Sequence, residues 1–421
     1  MLRWRIAILV SAAIAISYLD RQTLPVAVKA IERDIPLTNQ QFSYLQSAFL
    51  LAYAFLYAGG GKLTDMLGTR LGFTVVMVAW SLACFSHSFA VSFAMLAVSR
   101  FLLGAGEGGG FPAATRVVAE WFSTKERATA MGIINGGSAA GAVIAPPLIS
   151  LILLYANWRW IFVATGLLGF AWTVWWRRSY FPPDEHPRLT QKEREELAPL
   201  AQAGGQEATF SWTGLLRFRQ TWGVVLAKSL SDSAWYFYLF WLPKYLYEAR
   251  GFDLKAVGTF AWIPYAAAGF GCLAGGAFSS YLVRRNFSLN AARKIALGLS
   301  AAVMPAIILV PHVRVSIALA IFSLAYFGQQ SWSTLVIVLP TDLFPKNVVG
   351  TVAGMVGFGG AMGGIAFGQL AGYLLDHGLG YTIVFSLAGT FHVMAFLVIL
   401  ALIPVVQPLV SQPNIQYQAI T

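Results

Sequence analysis

The chain has 421 residues, of which 57% are hydrophobic and only 11% charged, whereas roughly a quarter of the residues in an ordinary soluble domain are charged. Apolar runs of about twenty residues recur along the chain, each long enough to cross a hydrocarbon layer of about 30 Å as a helix, so we expect an all-α polytopic membrane protein whose partner is the lipid bilayer. The net charge of +11 is mostly explained by Lys and Arg between these runs, so no nucleic-acid partner is needed to account for it.

Breaks at charged or Gly/Pro-rich joints divide the chain into twelve predicted transmembrane helices. They lie near residues 4–28, 42–61, 71–90, 94–121, 129–153, 158–176, 221–246, 256–282, 291–311, 315–339, 350–374 and 381–404. We predict an N-terminal six-helix bundle over 1–176, a cytoplasmic central linker over 177–220, a C-terminal six-helix bundle over 221–406 and a cytoplasmic tail over 407–421. Most Lys and Arg outside the spans share a side with the N-terminus, which predicts that both termini are cytoplasmic.

The first predicted span carries two adjacent charges, Asp20 and Arg21. Neighbours on a helix point about 100° apart, so these two side chains do not form a simple pair with each other. We interpret Arg21 as an anion receptor, because its planar guanidinium can donate two hydrogen bonds to a carboxylate. We interpret Asp20 as a proton-coupling group, because burial favours the protonated carboxyl. Tyr18 and Tyr53 are candidate substrate-binding residues whose rings could stack on a sugar, although tyrosine is also common at membrane interfaces.

The joint between the second and third spans reads GKLTDMLGTRLG. It places Gly61, Asp65, Gly68 and Arg70 in a pattern similar to the signature loop of the major facilitator superfamily. The resemblance implies twelve helices in two pseudo-symmetric six-helix bundles, with this loop acting as a cytoplasmic gate. The matching loop of the second half has Ser280 where the acidic residue would stand, which implies a weaker latch there.

The fourth span contains Arg100 and Glu107 within an apolar, glycine-rich run. Seven residues make two helical turns, so the two side chains share a face about 10 Å apart, where a bound anion or water could bridge them. Charges at this depth cost roughly 2.5–3.5 kcal/mol each, so they usually line a wet pathway or a proton relay; the alternative is a structural ion-pair network. The run RFLLGAGEGGGFPA and the earlier YLDR resemble the anion:cation symporter family, which implies Arg100 as a substrate-binding residue and Glu107 as a proton-coupling residue.

An internal repeat relates the two halves of the chain. At a constant offset of 222, the segment from Trp121 aligns with the segment from Leu343, which pairs glycines at 137 and 359 and at 141 and 363. Parallel repeats of six spans predict two bundles related by an axis along the membrane normal, with the substrate site between them near mid-bilayer.

The second half carries a charged pair and a polar stretch within its spans. Lys228 and Asp232 are four residues apart on one helix face, which predicts a structural pair. Amides and hydroxyls beside an aromatic face suit a polyhydroxylated ring, so the candidate substrate-binding residues of the tenth span are Gln329, Gln330, Ser331 and Trp332. Both segments resemble the hexuronate transporter branch of the family.

The fifth span departs from that branch. Some sugar-acid members carry a glutamine where this chain has Ser138, and Asn135 is the only amide nearby. We nevertheless assign Asn135 and Ser138 as candidate substrate-binding residues. The departure leaves the identity of the sugar acid open.

These features predict a proton-coupled symporter that imports a sugar-acid anion, a hexuronate such as galacturonate or glucuronate, by alternating access. We expect a monomer in the bacterial inner membrane, driven by the proton gradient without a cofactor or a metal. The alternatives are a symporter for another organic anion, such as an aldonate, a dicarboxylate or an aromatic acid, and a non-transporting membrane sensor. An enzyme is disfavoured, because no nucleophile and base are spaced for catalysis.

Overall fold

The computed structural model describes residues 2–122, 124–189, 212–344 and 346–409. Within these ranges the chain forms helices and connecting turns, with no strand. Part of the predicted central linker (190–211) and most of the predicted tail (410–421) lie outside the described residues. The all-helical fold predicted from hydropathy is confirmed.

The helices of the first half follow the six predicted spans. They are α1 (Leu2–Ile31), α2 (Asn39–Leu67), α3 (Thr69–Ser86), α4 (Phe93–Gly108), α5 (Gly110–Trp121), α6 (Thr124–Tyr155) and α7 (Arg159–Ser179). A short 3₁₀ turn, His87–Phe89, follows α3. The fourth predicted span is divided into α4 and α5 at Gly109, because three consecutive glycines precede Pro112 and glycine is a poor helix former.

The second half begins with the short helix α8 (Trp212–Leu215) and continues with six further spans. These comprise α9 (Arg219–Arg250), α10 (Leu254–Phe260), α11 (Trp262–Arg284), α12 (Leu289–Ala302), α13 (Val315–Leu343), α14 (Lys346–Asp376) and α15 (Gly380–Leu402). The predicted ninth span starts as α12 and ends as a 3₁₀ helix, Met304–His312, which contains Pro305 and Pro311. Proline lacks the N–H that a continuous α-helix needs, which accounts for the change.

Seven of the described helical segments are long and apolar enough to cross a membrane by length and composition. They are Leu2–Ile31, Thr69–Phe89, Thr129–Tyr155, Leu254–Arg284, Leu289–His312, Val348–Asp376 and Gly380–Leu402. The helix that carries Arg100 and Glu107, α4, is 16 residues long and is absent from this set. The twelve predicted spans and these seven segments agree with the fold expected from the signature loop.

The chain divides into two compact units. The first unit comprises Met1–Leu37, Tyr44–Glu207 and Leu246–Trp262, and the second comprises Thr38–Ser43, Ala208–Tyr245 and Ile263–Thr421.

In the first unit, α6 packs closely on α1 through two glycines. A Cβ atom on Gly137 would overlap the carbonyl oxygen of Ser11, and one on Gly141 would overlap that of Ala15. Small residues of this kind let membrane helices approach until their backbones touch. Glycines of α4 do the same at the neighbouring helices, where a Cβ on Gly106 would lie 2.6 Å from Cα of Trp80.

The second unit repeats this packing at equivalent positions. The glycines aligned with Gly137 and Gly141, at positions 359 and 363, lie on α14 and meet α9 at Val225 and Ser229. The two neighbours in α9 are offset by 214 residues from their counterparts in α1, just as the glycines are offset by 222. The glycine coincidences in the sequence therefore mark the same helix–helix contact in both halves.

These contacts predict opposite effects for two adjacent glycines. We expect Gly137→Ala to lower the melting temperature of the detergent-solubilised protein, because the new methyl group meets the backbone of α1. Gly136→Ala places its methyl group in open space and gains helix propensity, so the protein should be as stable or more stable by up to about 1 kcal/mol. Thermal unfolding of both variants tests this, and equal melting temperatures would contradict the packing argument.

Candidate functional site

The centre of the first unit holds a buried ion pair between α1 and α4. Nε of Arg21 donates to Oε2 of Glu107 at 2.7 Å, and both side chains are almost fully buried. The hydroxyl of Ser17, one turn before Arg21, donates to the same carboxylate oxygen at 2.6 Å. A buried ion pair is held only where hydrogen bonds and attraction offset the lost hydration, so this cluster is a costly feature of an apolar fold.

Aromatic rings surround the guanidinium of Arg21. Its Cζ atom lies 4.7 Å from the ring centroid of Tyr18, 4.6 Å from that of Tyr53 and 5.3 Å from that of Phe49. Such rings attract a cation through their electron-rich faces and exclude water from it. The structure thus brings both predicted tyrosines to Arg21 and adds Phe49, which sequence reasoning missed.

Arg100 lies in the same unit but takes a different partner. Its Nη2 donates to Oε1 of Gln46 at 2.6 Å, and its Cζ lies 4.7 Å from the ring of Phe49. The side chain is fully buried, yet its Nε and Nη1 have no hydrogen-bond partner among the residues that the structure describes. The same holds for Nε2 of Gln46 and Oε1 of Glu107. Unmet polar atoms of this kind favour a polar ligand, since a buried donor left unpaired is costly.

Asp20 faces α3 and α7 rather than the arginine beside it. The indole N–H of Trp80 donates to Oδ2 at 2.7 Å, and the thiol of Cys84 donates to Oδ1 at 3.4 Å. Oγ1 of Thr165 on α7 lies 3.1 Å from the Cys84 sulfur. Asp20 is therefore held by neutral donors, whereas Glu107 is held by a cation.

The candidates of the fifth span lie apart from these contacts. Asn135 is exposed, and Ser138 is half-buried with its hydroxyl donating to the Asn135 carbonyl at 2.6 Å. The bond is local to one helical turn. No described contact joins either residue to the Arg21 cluster.

The gate residues are described only in part. Gly61 and Asp65 belong to a stretch, 58–65, whose side chains lie outside the described residues, so the Asp–Arg latch stays a prediction. Gly68 has φ +73°, a backbone conformation that favours glycine, and it starts α3 directly after α2. Arg70 donates from Nη2 to the carbonyl of Arg177 at 2.6 Å and stacks on Phe181, with Cζ 3.9 Å from the ring centroid.

The second unit has its own buried polar cluster on α9, α13 and α15. Nζ of Lys228 lies 2.9 Å from Oδ1 of Asp232 and donates to the hydroxyl of Ser333 at 2.8 Å. On the neighbouring α13, Oε1 of Gln329 contacts Nε2 of His392. Sequence reasoning missed His392, although an ionisable residue inside an apolar span is a functional signal in its own right.

The other polar residues of the tenth span take structural positions. The hydroxyl of Ser331 donates to the carbonyl of Gly271 at 2.9 Å, and Oε1 of Gln330 lies 3.9 Å from the sulfur of Cys272. Trp332 packs in the hydrophobic core of the second unit. In the described structure, Gln329 and Trp332 both contact His392, the first through its Oε1 and the second edge-on with ring centroids 5.6 Å apart.

A surface pocket of about 770 Å³ lies at the C-terminal end of α1. Lys29 on its wall lies 3.2 Å from Glu248, and Nη1 of Arg159 lies 2.6 Å from Oδ2 of Asp34. Hydrogen bonds from Arg159 and Trp158 hold the pKa of the Asp34 carboxyl below its usual range. Because two of its basic groups already face carboxylates, this pocket is a weaker anion receptor than the buried arginines. Over the described ranges, no group of three or more His, Cys, Asp or Glu side chains could hold a metal ion.

Comparisons with known proteins agree with these features. The profile of the Major Facilitator Superfamily matches residues 10–368. The hexuronate transporter of Escherichia coli (strain K12) is 32% identical over 405 residues, covering 94% of this chain and 93% of that protein. The galacturonate transporter of Dickeya chrysanthemi is 33% identical over 309 residues, covering 72% and 89%. Among solved structures, a bacterial homolog of the human lysosomal transporter Spinster, inward-facing and occupied, gives a TM-score of 0.72 at 17% identity, covering 96% and 97% of the two chains; this likeness is one of fold.

Proposed function

Because the chain belongs to the major facilitator superfamily and is a multi-pass membrane transporter rather than an enzyme, we propose that it is a proton-coupled symporter importing a hexuronate anion, such as galacturonate or glucuronate, by alternating access. Its relatives carry the names of hexuronate and galacturonate transporters, which supports a small organic anion as the substrate. We further propose a monomer in the bacterial inner membrane with both termini cytoplasmic, which is the orientation that the basic residues favour.

The observation that carries the proposal is the Arg21–Glu107 ion pair with Arg100 nearby on α4. With Asp20 and Glu107 both ionised, their charges cancel those of Arg21 and Arg100. Protonation of Glu107 removes the negative charge beside Arg21, and the arginine then attracts an anion in its place. A substrate carboxylate can occupy the guanidinium fork, while its hydroxyls meet the unpaired N–H groups of Arg100 and Gln46.

This arrangement links substrate binding to proton binding by charge balance. A monoanion entering the buried cluster costs much less when a proton has already neutralised one carboxylate, because an uncompensated buried charge is strongly disfavoured. The same linkage makes proton release weaken substrate binding, which favours unloading on the side with fewer protons. Asp20 provides the second coupling carboxylate, and it titrates together with Glu107 as one coupled set.

Uptake of labelled galacturonate and glucuronate into proteoliposomes tests the proposal. With an inward proton gradient, we expect accumulation above the external concentration, and a protonophore should abolish it. A competition panel of an aldonate, a dicarboxylate and an aromatic acid measures the preference for hexuronates. Equilibration that does not depend on the proton gradient would contradict proton coupling. Strong competition by another anion class would contradict a hexuronate as the substrate. Binding without uptake would indicate a sensor.

A further inference from the structure

We propose that Asp232 in the second unit is a further proton-binding site, separate from Asp20 and Glu107, so that the transport cycle carries one proton more than the first unit alone would supply. This inference rests on the proposed symport function. It concerns the cluster formed by Lys228, Asp232, Gln329, Ser333 and His392, which the sequence suggested only as a structural pair with an adjacent polar span.

A purely structural role explains the Lys228–Asp232 pair poorly. Both residues belong to α9 at a spacing of four, so their ion pair joins no two helices. An i,i+4 pair on a helix contributes little stability even in water, and each charge buried at membrane depth is costly. The pair therefore lowers the stability of the protein. A charged pair kept at this cost indicates that its charge state has a function.

The geometry suits a proton better than a metal cation. The ammonium of Lys228 already occupies the cation position, 2.9 Å from Oδ1 of Asp232. On the other side, Oδ2 lies against Gly360 of α14 so closely that a Cβ atom there would overlap it. A sodium ion needs several oxygen ligands around it, and the described neighbours leave no such shell, but a proton adds no volume.

Hydrogen bonds fix which groups hold protons around Asp232. Gln329, one turn before Ser333 on α13, presents an amide whose oxygen can only accept a hydrogen bond. Its carbonyl oxygen then accepts from Nε2–H of His392. The hydrogen therefore sits on Nε2, and Nδ1 is fully buried with no partner in the described structure. The one described ionisable group facing the pair from α11 is Cys272, an uncharged thiol.

Protonation of Asp232 has a defined consequence. The new O–H no longer neutralises Lys228, whose ammonium keeps its hydrogen bond to Ser333 at 2.8 Å. The two units then behave alike. In each, a carboxylate neutralises the charge of a basic residue, Arg21 or Lys228, until a proton binds to that carboxylate. A proton bound at Asp232 thus adds positive charge to the second unit and favours anion binding.

The test is the proton-to-substrate ratio of Asp232→Asn. In proteoliposomes with the membrane potential clamped at zero, each coupled proton raises the accumulation ratio about tenfold per unit of pH difference. We expect Asp232→Asn to accumulate about tenfold less galacturonate than wild type at a pH difference of one unit, and Asp232→Glu to restore the ratio. If Asp232→Asn reached the wild-type plateau of galacturonate accumulation, only more slowly, Asp232 would not be a coupled proton-binding site.

Two further measurements separate the possible failures. If Asp232→Asn does not fold, the double variant Lys228→Met with Asp232→Asn removes both buried charges and should also show the tenfold deficit. A wild-type plateau that follows a sodium gradient rather than the pH difference would overturn the proton assignment. Absence of any accumulation by wild type would instead sink the symport function itself, whereas wild-type accumulation with an unaltered ratio in both variants would sink only this inference.

Discussion

Replacing Arg21 by Ala is expected to lower sugar-acid uptake by at least about 100-fold. The change leaves Glu107 as a buried carboxylate without its cation, and losing two charge-assisted hydrogen bonds to the substrate, about 1.5–3 kcal/mol each, lowers binding by at least about two factors of ten. It also removes the guanidinium that the proposed mechanism offers to the substrate carboxylate. Arg21→Lys should recover little, because an ammonium keeps the charge but lacks the planar fork.

The measurement compares uptake and substrate binding of each variant at equal protein in the membrane. Arg5→Ala is the matched control, since Arg5 lies on the same helix and is exposed. The double variant Arg21→Gln with Glu107→Gln keeps the site neutral, so it should fold and still fail to bind. Near-normal uptake by Arg21→Ala would remove Arg21 from the receptor role.

The helical architecture could be predicted from hydropathy because every span must be an apolar helix long enough to cross the membrane. Twelve apolar runs became helices at the predicted places, and the resemblance to the superfamily is confirmed by the comparisons. The interruptions inside three of those spans were missed. They depend on local chemistry, such as the glycines around Gly109 and the prolines of the Met304–His312 segment, which hydropathy does not register.

The charged residues of the candidate site could be predicted from the sequence. Asp20, Arg21, Arg100 and Glu107 stood out because ionisable residues are rare within apolar spans, and the structure places Arg21 directly on Glu107. The spacing of residues within the fourth span gives no reason to pair Glu107 with the first span. That pairing depends on how two distant segments pack, which one helix cannot reveal.

The neutral partners of these charges carried no signal in the sequence. Ser17, Gln46 and Trp80 carry no charge, and their roles arise only once α1, α2, α3 and α4 pack together. The glycines that permit this approach were visible in the sequence, but the backbones they would meet were not. His392 is different, because the rule that flagged Asp20 applied equally to it.

Glu107→Gln is expected to abolish proton-driven accumulation while preserving exchange. The glutamine has almost the same shape, and its carbonyl oxygen can accept the bonds from Ser17 and Arg21 that Oε2 accepts now. The fold should therefore persist. The side chain can no longer gain or lose a proton, however, so Arg21 stays in the state that attracts an anion whatever the pH.

Substrate then binds and crosses whether or not Asp20 and Asp232 hold protons, so it still exchanges across the membrane while the proton gradient no longer sets its direction. Counterflow of labelled galacturonate should stay within a few-fold of wild type, whereas accumulation under an inward proton gradient should fall close to equilibration. Glu126→Gln is the control: its 3.0 Å pair with Arg3 is partly exposed and contributes little to stability, so accumulation should be retained. If Glu107→Gln accumulated substrate as wild type does, the coupling would have to reside in other carboxylates, with Asp20 and Asp232 as the groups left to carry it.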